Sequence, residues 1–267
     1  MYNPRDIIEL IADNVRKTGN PFGISKFWLN GWWKGAGVPR EGGALLYTGL
    51  MYQFMPYIEK TTDYLARYED SNLAAYAKYG RYAPKSLTGA GLAAITPGEE
   101  KLKFTRILRN ISKILEKSGV DFHYDPALDG YSGSLLYDLG DHEGFVRHAR
   151  RVAEELKNRG IEKIITIDPH TTYALKVLYP KYTGAAFDVK TYFELVNLPA
   201  KNGGLQVTLH DPCFFGRYLE LSDVPSRMLE KLGVECVQPR NSGEFTSCCG
   251  GPAESVSPKL SAEVVSR

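Results

Sequence analysis

Three of the four cysteines in this chain, Cys213, Cys248 and Cys249, stand where thiolates can serve a soft metal centre. Cys213 follows the apolar run Leu205–Leu209, within Leu209-His210-Asp211-Pro212-Cys213-Phe214-Phe215-Gly216-Arg217. Read as a strand, that run delivers the sulfur to the C-terminal edge of a parallel sheet, where ligands gather in open α/β folds. Cys248-Cys249-Gly250-Gly251-Pro252 comes after the next strand, in a turn-rich loop that can return to the same edge. Neighbouring cysteines point in different directions, so such a pair can reach two irons of one cluster. Taken bare, the pair also suits a vicinal disulfide or two inert thiols.

Composition narrows the alternatives. Four cysteines in 267 residues, two of them adjacent, are too sparse for the disulfide framework of a small secreted domain. Lys and Arg number 33 against 31 Asp and Glu, so the basic field that gathers nucleic acid is missing. The most apolar stretch, Gly43 to Ile58, is shorter than a membrane span and carries Gln53 and Pro56. No basic segment followed by an apolar one marks the N-terminus. The chain reads as soluble and cytoplasmic, with membrane contact left to partner subunits.

The elements that must position the thiols come from hydrophobic rhythm. Ile7, Ile8, Leu10, Ile11 and Val15 give a short amphipathic helix over Asn3–Lys17, stopped at Gly19-Asn20-Pro21. Residues 22–42 hold all three tryptophans among five glycines and read as an extended arm whose rings need a covering surface, in this chain or a partner. Strands are predicted at Ala44–Thr48, Val120–Tyr124, Lys163–Ile167, Leu205–Leu209 and Val234–Gln238. Helices are predicted at Leu102–Leu115, Asp141–Arg159, Thr172–Leu178 and Val224–Leu232. This alternation argues for an α/β fold of mostly parallel sheets. An insert at 57–100 carries Tyr57, Tyr64, Tyr68, Tyr76, Tyr79 and Tyr82; its first part has helical spacing, and Leu87–Gly98 is glycine-rich and loop-like. The tyrosine stripe reads first as packed surface.

An internal repeat organises these elements. Leu115-Glu116-Lys117-Ser118-Gly119-Val120-Asp121-Phe122 returns as Leu229-Glu230-Lys231-Leu232-Gly233-Val234-Glu235-Cys236, identical at five of eight positions. Gly119 and Gly233 sit where a helix end favours positive φ. Cys236, aligned with Phe122 inside a strand, reads as a buried small apolar residue. The chain divides into an N-terminal helix and Trp/Gly-rich arm (1–42), a first repeat (43–200) and a second repeat (201–267).

His210-Asp211-Pro212-Cys213, Gly216-Arg217, Pro239-Arg240-Asn241 and Cys248-Cys249-Gly250-Gly251 together resemble the cysteine-rich CCG domain. That family is found in heterodisulfide reductase catalytic subunits and in iron–sulfur subunits of glycolate and lactate oxidation systems. The resemblance implies two tandem α/β domains and a cluster of 4Fe–4S type with Cys213, Cys248 and Cys249 as ligands. They are three of the five thiols implied; the closing Cys-x-x-Cys of the pattern would fall past Arg267, leaving the second repeat incomplete. In the first repeat all five thiol positions are lost. Leu50 stands in place of the first Cys, Tyr131-Ser132 in place of the pair, and Asp168-Pro169-His170-Thr171 in place of the closing motif. The expectation there is a retained fold without its metal, with Asp168 and His170 as a weaker zinc or substrate site.

Around the thiols, His210 and Arg217 are the candidate catalytic residues. His210 suits a proton donor beside the cluster or a loop anchor, Asp211 chiefly an anchor, and Arg217 offsets cluster charge or pairs with an acidic substrate. The implied function is a heterodisulfide-reductase-like redox subunit passing electrons to a thiol, disulfide or quinone-linked acceptor. Two alternatives stand beside it: an electron-transfer subunit of a 2-hydroxy-acid dehydrogenase, and a metal-free or zinc-binding scaffold. Implied partners are a ferredoxin-type iron–sulfur subunit, since the chain lacks a four-cysteine ferredoxin run, and a flavin or membrane-anchored subunit. Asn3–Gly23 resembles the segment that follows the ferredoxin module in fused relatives and is a candidate docking element.

Overall fold

The computed structural model describes residues 3–68, 70–71, 79–200 and 204–266. Tyr76 of the tyrosine stripe lies outside them. The chain opens with helix α1 (Pro4–Thr18), capped by the Asn3 side chain and ended by Gly19 at φ 78°. Its apolar face buries Ile7, Ile11 and Val15 in the main core. The tryptophan arm contains a short helix, α2 (Lys26–Leu29). Trp32 is buried, with its indole N–H donating to the Tyr124 hydroxyl at 3.2 Å, and the Arg40 guanidinium lies over the Trp33 ring. The arm thus covers this chain's own sheet, while Phe27 and Trp28 stay exposed.

That sheet has four parallel strands in the order β2-β1-β3-β4: β1 (Ala44–Tyr47), β2 (Phe122–His123), β3 (Lys163–Thr166) and β4 (Asp188–Thr191). Strand residues alternate between two cores, as a strand period of two requires. Leu45, Tyr47 and Ile164 join one core with α1; Leu46 and Ile165 join the other with Trp32. Burial on both faces is the reason these strands read as near-continuous apolar runs. Helices α3 (Met51–Tyr68) and α7 (His142–Asn158) contribute to the first core, and α5 (Gly98–Lys117) to the second.

The insert departs from expectation. Residues 87–95, expected as loop, belong to helix α4 (Lys85–Ile95), set between Pro84 and Thr96. Gly89, the first of its two glycines, is a packing residue: a Cβ there would lie 2.4 Å from the Gly23 carbonyl oxygen, so backbone meets backbone. The helix expected at 172–178 is longer. It starts as α8 (Pro169–Tyr173), passes through a π turn (Ala174–Leu178) and ends as α9 (Tyr179–Thr183). Strand β4 and the short helix α10 (Tyr192–Leu195) are not legible as elements in the sequence; Asp188-Val189-Lys190-Thr191 alternates polar and apolar over too few residues to register. Helix α6 (Ser134–Asp138) fills the turn before α7.

A second parallel sheet has two strands, β5 (Gln206–Thr208) and β6 (Glu235–Val237), joined by α11 (Asp223–Lys231). Helices α12 (Gly251–Glu254) and α13 (Pro258–Val265) follow. No helix among the described residues is long and apolar enough to cross a membrane.

Candidate metal centre

Strand register aligns the two sheets residue by residue. Ala44 pairs with Phe122 and Val207 pairs with Cys236, so the repeat that equates Phe122 with Cys236 also equates Ala44 with Val207. Six residues beyond each stand Leu50 and Cys213. Both open a helical segment at the C-terminal end of their strand, Leu50 at φ 58° and Cys213 at φ −56°. A second equivalence follows from the loops after β2 and β6. Gly133 and Gly250, at φ 88° and 72°, each precede a short helix, which sets Tyr131-Ser132 against Cys248-Cys249.

Cys213 is half-buried and heads a π turn (Phe214–Tyr218), an irregularity that frequently marks functional sites. Its loop is fixed by Asp211, buried, whose carboxylate accepts the Gly243 N–H at 2.7 Å and whose carbonyl accepts the Thr246 hydroxyl at 2.7 Å. Arg217 reaches back to donate to the Thr246 carbonyl. A Cβ on Gly216 would lie 2.3 Å from the Gly243 carbonyl oxygen, so a side chain there would part the two loops. This loop-to-loop stitching brings Cys213 beside Cys248 and Cys249, which are exposed. Burial and the two neighbouring thiols push the Cys213 thiol up, while the Phe214 backbone N–H pulls it the other way. The Gly250 N–H donates to the Cys248 sulfur at 3.4 Å. His210 is exposed at the end of β5. Cys236 is half-buried, its thiol 3.9 Å from the Ser226 carbonyl. The strand expected to bury it is flanked on too few sides for full burial.

Burial and two neighbouring thiols make Cys213 costlier to deprotonate, and a metal ion bound there would stabilise it as the thiolate. Among the described residues no three His, Cys, Asp or Glu side chains close on a single metal position. In donor chemistry the three thiols suit a soft metal centre, and no closed tetrahedral zinc cage is present among the described residues.

The equivalent positions in the four-stranded sheet are packed shut. Leu50, Tyr131 and Ser132 are buried, Phe54 meets Tyr131 edge-on at 5.9 Å, and the Tyr131 hydroxyl accepts the Leu135 N–H at 2.7 Å. Asp168 caps α8 by accepting the Thr171 N–H at 2.9 Å. Its other oxygen, with the Ser132 and Thr171 hydroxyls, has no hydrogen-bond partner among the described residues. His170 turns instead toward Asp138, 4.0 Å away. Among the described residues no third His, Cys, Asp or Glu joins Asp168 and His170 in a group that could hold a metal ion. Burial raises the Asp168 carboxyl to about 6 and the Asp138 carboxyl to about 7, and lowers the His170 imidazole to about 4. Asp138 carries no sequence signal beyond its place in a short helix.

The two sheets meet beside the thiols. Phe214 stacks on Tyr173 at 4.8 Å and touches His170 edge-on at 4.7 Å, so the residue after Cys213 packs on the vacated closing motif.

The three cysteines thus stand on a strand edge of a repeated parallel α/β frame. Residues 207–267 match the family model of the CCG cysteine-rich domain. Among curated proteins, the chain is 35% identical over 158 residues to a probable membrane-anchored ferredoxin of Chromohalobacter salexigens, covering 55% of this chain and 24% of that protein. It is 30% identical over 156 residues to the EtfAB:quinone oxidoreductase of Syntrophomonas wolfei, covering 55% and 22%. It is also 30% identical over 153 residues to a subunit of the dihydromethanophenazine:CoB–CoM heterodisulfide reductase of Methanosarcina mazei, covering 52% and 37%. The chain thus spans about a quarter of the first two relatives and little more than a third of the last. No solved structure gives a significant match.

Proposed function

We propose that this chain is an iron–sulfur redox subunit of the heterodisulfide-reductase-like class, passing electrons to a thiol, disulfide or quinone-linked acceptor. The observation that carries the reading is the convergence of Cys213 on Cys248 and Cys249 at one strand edge. Cys213, Cys248 and Cys249 would hold an iron–sulfur cluster of 4Fe–4S type, which supplies one-electron transfer when bound. Asp211 and Gly216 hold the two ligand loops in register, and Arg217 ties its own loop to the Thr246 carbonyl, two residues before Cys248. His210, exposed beside the loop, is free to meet an acceptor or a partner's surface. The names of the relatives, a probable membrane-anchored ferredoxin, a quinone oxidoreductase and a heterodisulfide reductase subunit, support a redox role. A ferredoxin-type subunit is the natural donor.

Anaerobic reconstitution with iron and sulfide tests this. The full chain is expected to bind iron and develop visible absorption, and Cys213→Ala to lose both, with Cys236→Ala unaffected. Equal iron in wild type and Cys213→Ala would remove the cluster from these residues. The metal-free scaffold reading is favoured by the packed first site, and a chain that gains neither iron nor colour would establish it.

A further inference from the structure

Among helices α1, α3, α4, α6 and α12 lies a cavity of about 690 Å³, within the size range of small-molecule sites. Its lining is overwhelmingly apolar and includes Phe54, Tyr131 and Leu135, at or beside the positions where the first repeat lost its thiols. Cys249 of the thiol set lies in the same lining. Three carboxyl or imidazole groups interrupt the apolar wall, Glu254 and a facing pair: Asp138, its side chain 11% exposed, and His170, 4.0 Å from it. Neither is consumed by the fold, since among the described residues the Asp138 carboxyl has no closer polar partner than that imidazole. The cavity is thus an apolar room with the Asp138–His170 pair as a polar corner.

We propose that this cavity binds a quinone, its ring among Phe54, Tyr131 and Leu135 and a carbonyl oxygen at the Asp138–His170 corner. An apolar ring suits the walls. A quinone suits the corner because its carbonyl accepts a hydrogen bond, whereas its hydroxyl form donates one, and a carboxyl beside a neutral imidazole can do both in turn. Burial holds Asp138 near about 7, where acid and carboxylate coexist at neutral pH. A disulfide, the other acceptor named above, has no oxygen for that corner to recognise. The inference rests on the proposed redox function in one respect only, that Cys249 then joins an electron source to the wall of the acceptor's site.

Duroquinone is a suitable probe, because its fully methylated ring gives thiols no position to add to. Durene, the same ring without carbonyl oxygens, is its control. In the metal-free full chain, duroquinone is expected to bind at one site by calorimetry, about tenfold tighter than durene, the worth of one good hydrogen bond in a dry site. It should also slow iodoacetamide alkylation of Cys249 but not of Cys236. Leu135→Trp, which fills the cavity, should abolish binding, and Asp138→Leu should bring duroquinone down to the affinity of durene. Equal affinity for the two probes, or Asp138→Leu without effect on duroquinone, would overturn the proposal. Cys213→Ala should leave duroquinone affinity unchanged while removing iron uptake, so the quinone site and the iron site fail independently.

Discussion

The four-stranded sheet and the two-stranded sheet share a plan of strand, turn and helix, yet treat the same positions in opposite ways. At the first, Leu50, Tyr131 and Ser132 are buried and the loops close on themselves; at the second, Cys248 and Cys249 face solvent and Cys213 is only half-covered. The strands differ in the same sense. Three of the four residues in β1 and in β3 are buried, whereas β5 and β6 have none. Losing thiols at a strand edge thus goes with filling the edge by aromatic packing. Keeping them requires an open edge whose loops are held by a few hydrogen bonds.

The largest test of that contrast returns thiols to the packed edge. Tyr131→Cys with Ser132→Cys in a Cys213→Ala background restores the double cysteine but removes a buried ring that meets Phe54 and His148. The loss expected in urea unfolding is about 3–5 kcal/mol, with no iron gained on reconstitution, because Leu50 and the closing motif still lack sulfur. Iron uptake by this variant would mean that packing, and not ligand number, separates the two edges.

Next in size is a pH-dependent gain. The folded Asp138 carboxyl sits at about 7, above its ordinary 3.8, so the native state keeps a proton that the unfolded chain releases. Its contribution is fully present below pH 3.8 and is lost as pH rises through about 7. Asp138→Asn should therefore stabilise the chain at pH 8 by on the order of 2–4 kcal/mol and leave it unchanged near pH 4. His170, held down at about 4, acts in the opposite sense, losing its contribution as pH falls from 6.5 toward 4. Comparing variant with wild type at each pH cancels that background. An Asp138→Asn gain equal at both values would place the carboxyl in solvent rather than in the cavity wall.

The paired glycines give a smaller and more direct comparison. Gly133→Ala strains a backbone at φ 88° and drives a methyl to 3.0 Å from the His148 ring; a loss of about 1–3 kcal/mol is expected in thermal or urea unfolding. Gly250→Ala meets the Ser261 hydroxyl at 2.6 Å and the Ser261 carbonyl oxygen at 3.1 Å. Its expected signature is lower iron uptake with little change in global stability, since the double-cysteine loop borders an open edge. Equal global losses would show that the second edge is as much a part of the folding unit as the first.

Much of this plan is legible in the sequence. The repeat at 115–122 and 229–236 locates both helix-to-strand turns, and strand register sets Leu50 against Cys213, the equivalence that the family resemblance implies. Helices with strong apolar periods, such as α1 and α7, match their expected spans nearly to the residue. What escapes is set by tertiary contact. Helix α4 owes Gly89 to the Gly23 backbone rather than to a turn, and β4 is a strand because β3 pairs with it. Asp138 acquires its character only when α6 turns it into an apolar cavity opposite a distant chain segment. Sequence spacing records which residues share an element; it does not record which elements face one another.

The finest test concerns how little holds the open edge. Asp211 has two roles, one through its carboxylate on Gly243 and one through its carbonyl on Thr246. Only the first depends on the side chain. Asp211→Asn keeps an oxygen that can accept the Gly243 N–H and removes the charge, while Asp211→Ala leaves that N–H without its partner. A loss of about 0.5–1.5 kcal/mol is expected for Ala and less for Asn. Iron uptake should fall more steeply than stability, because the 243–246 loop leads directly into Cys248 and a small shift there separates it from Cys213. Asp129, the buried anchor of the first sheet, accepts the Thr48 N–H at 2.8 Å, the Thr48 hydroxyl at 2.6 Å and lies 2.8 Å from the Tyr124 hydroxyl. Asp129→Ala is the matched control: unfolding measurements should register it strongly and iron uptake hardly at all. If Asp211→Ala instead lowers stability and iron binding in proportion, the loop is held by the whole unit and the edge is less open than its exposed thiols suggest.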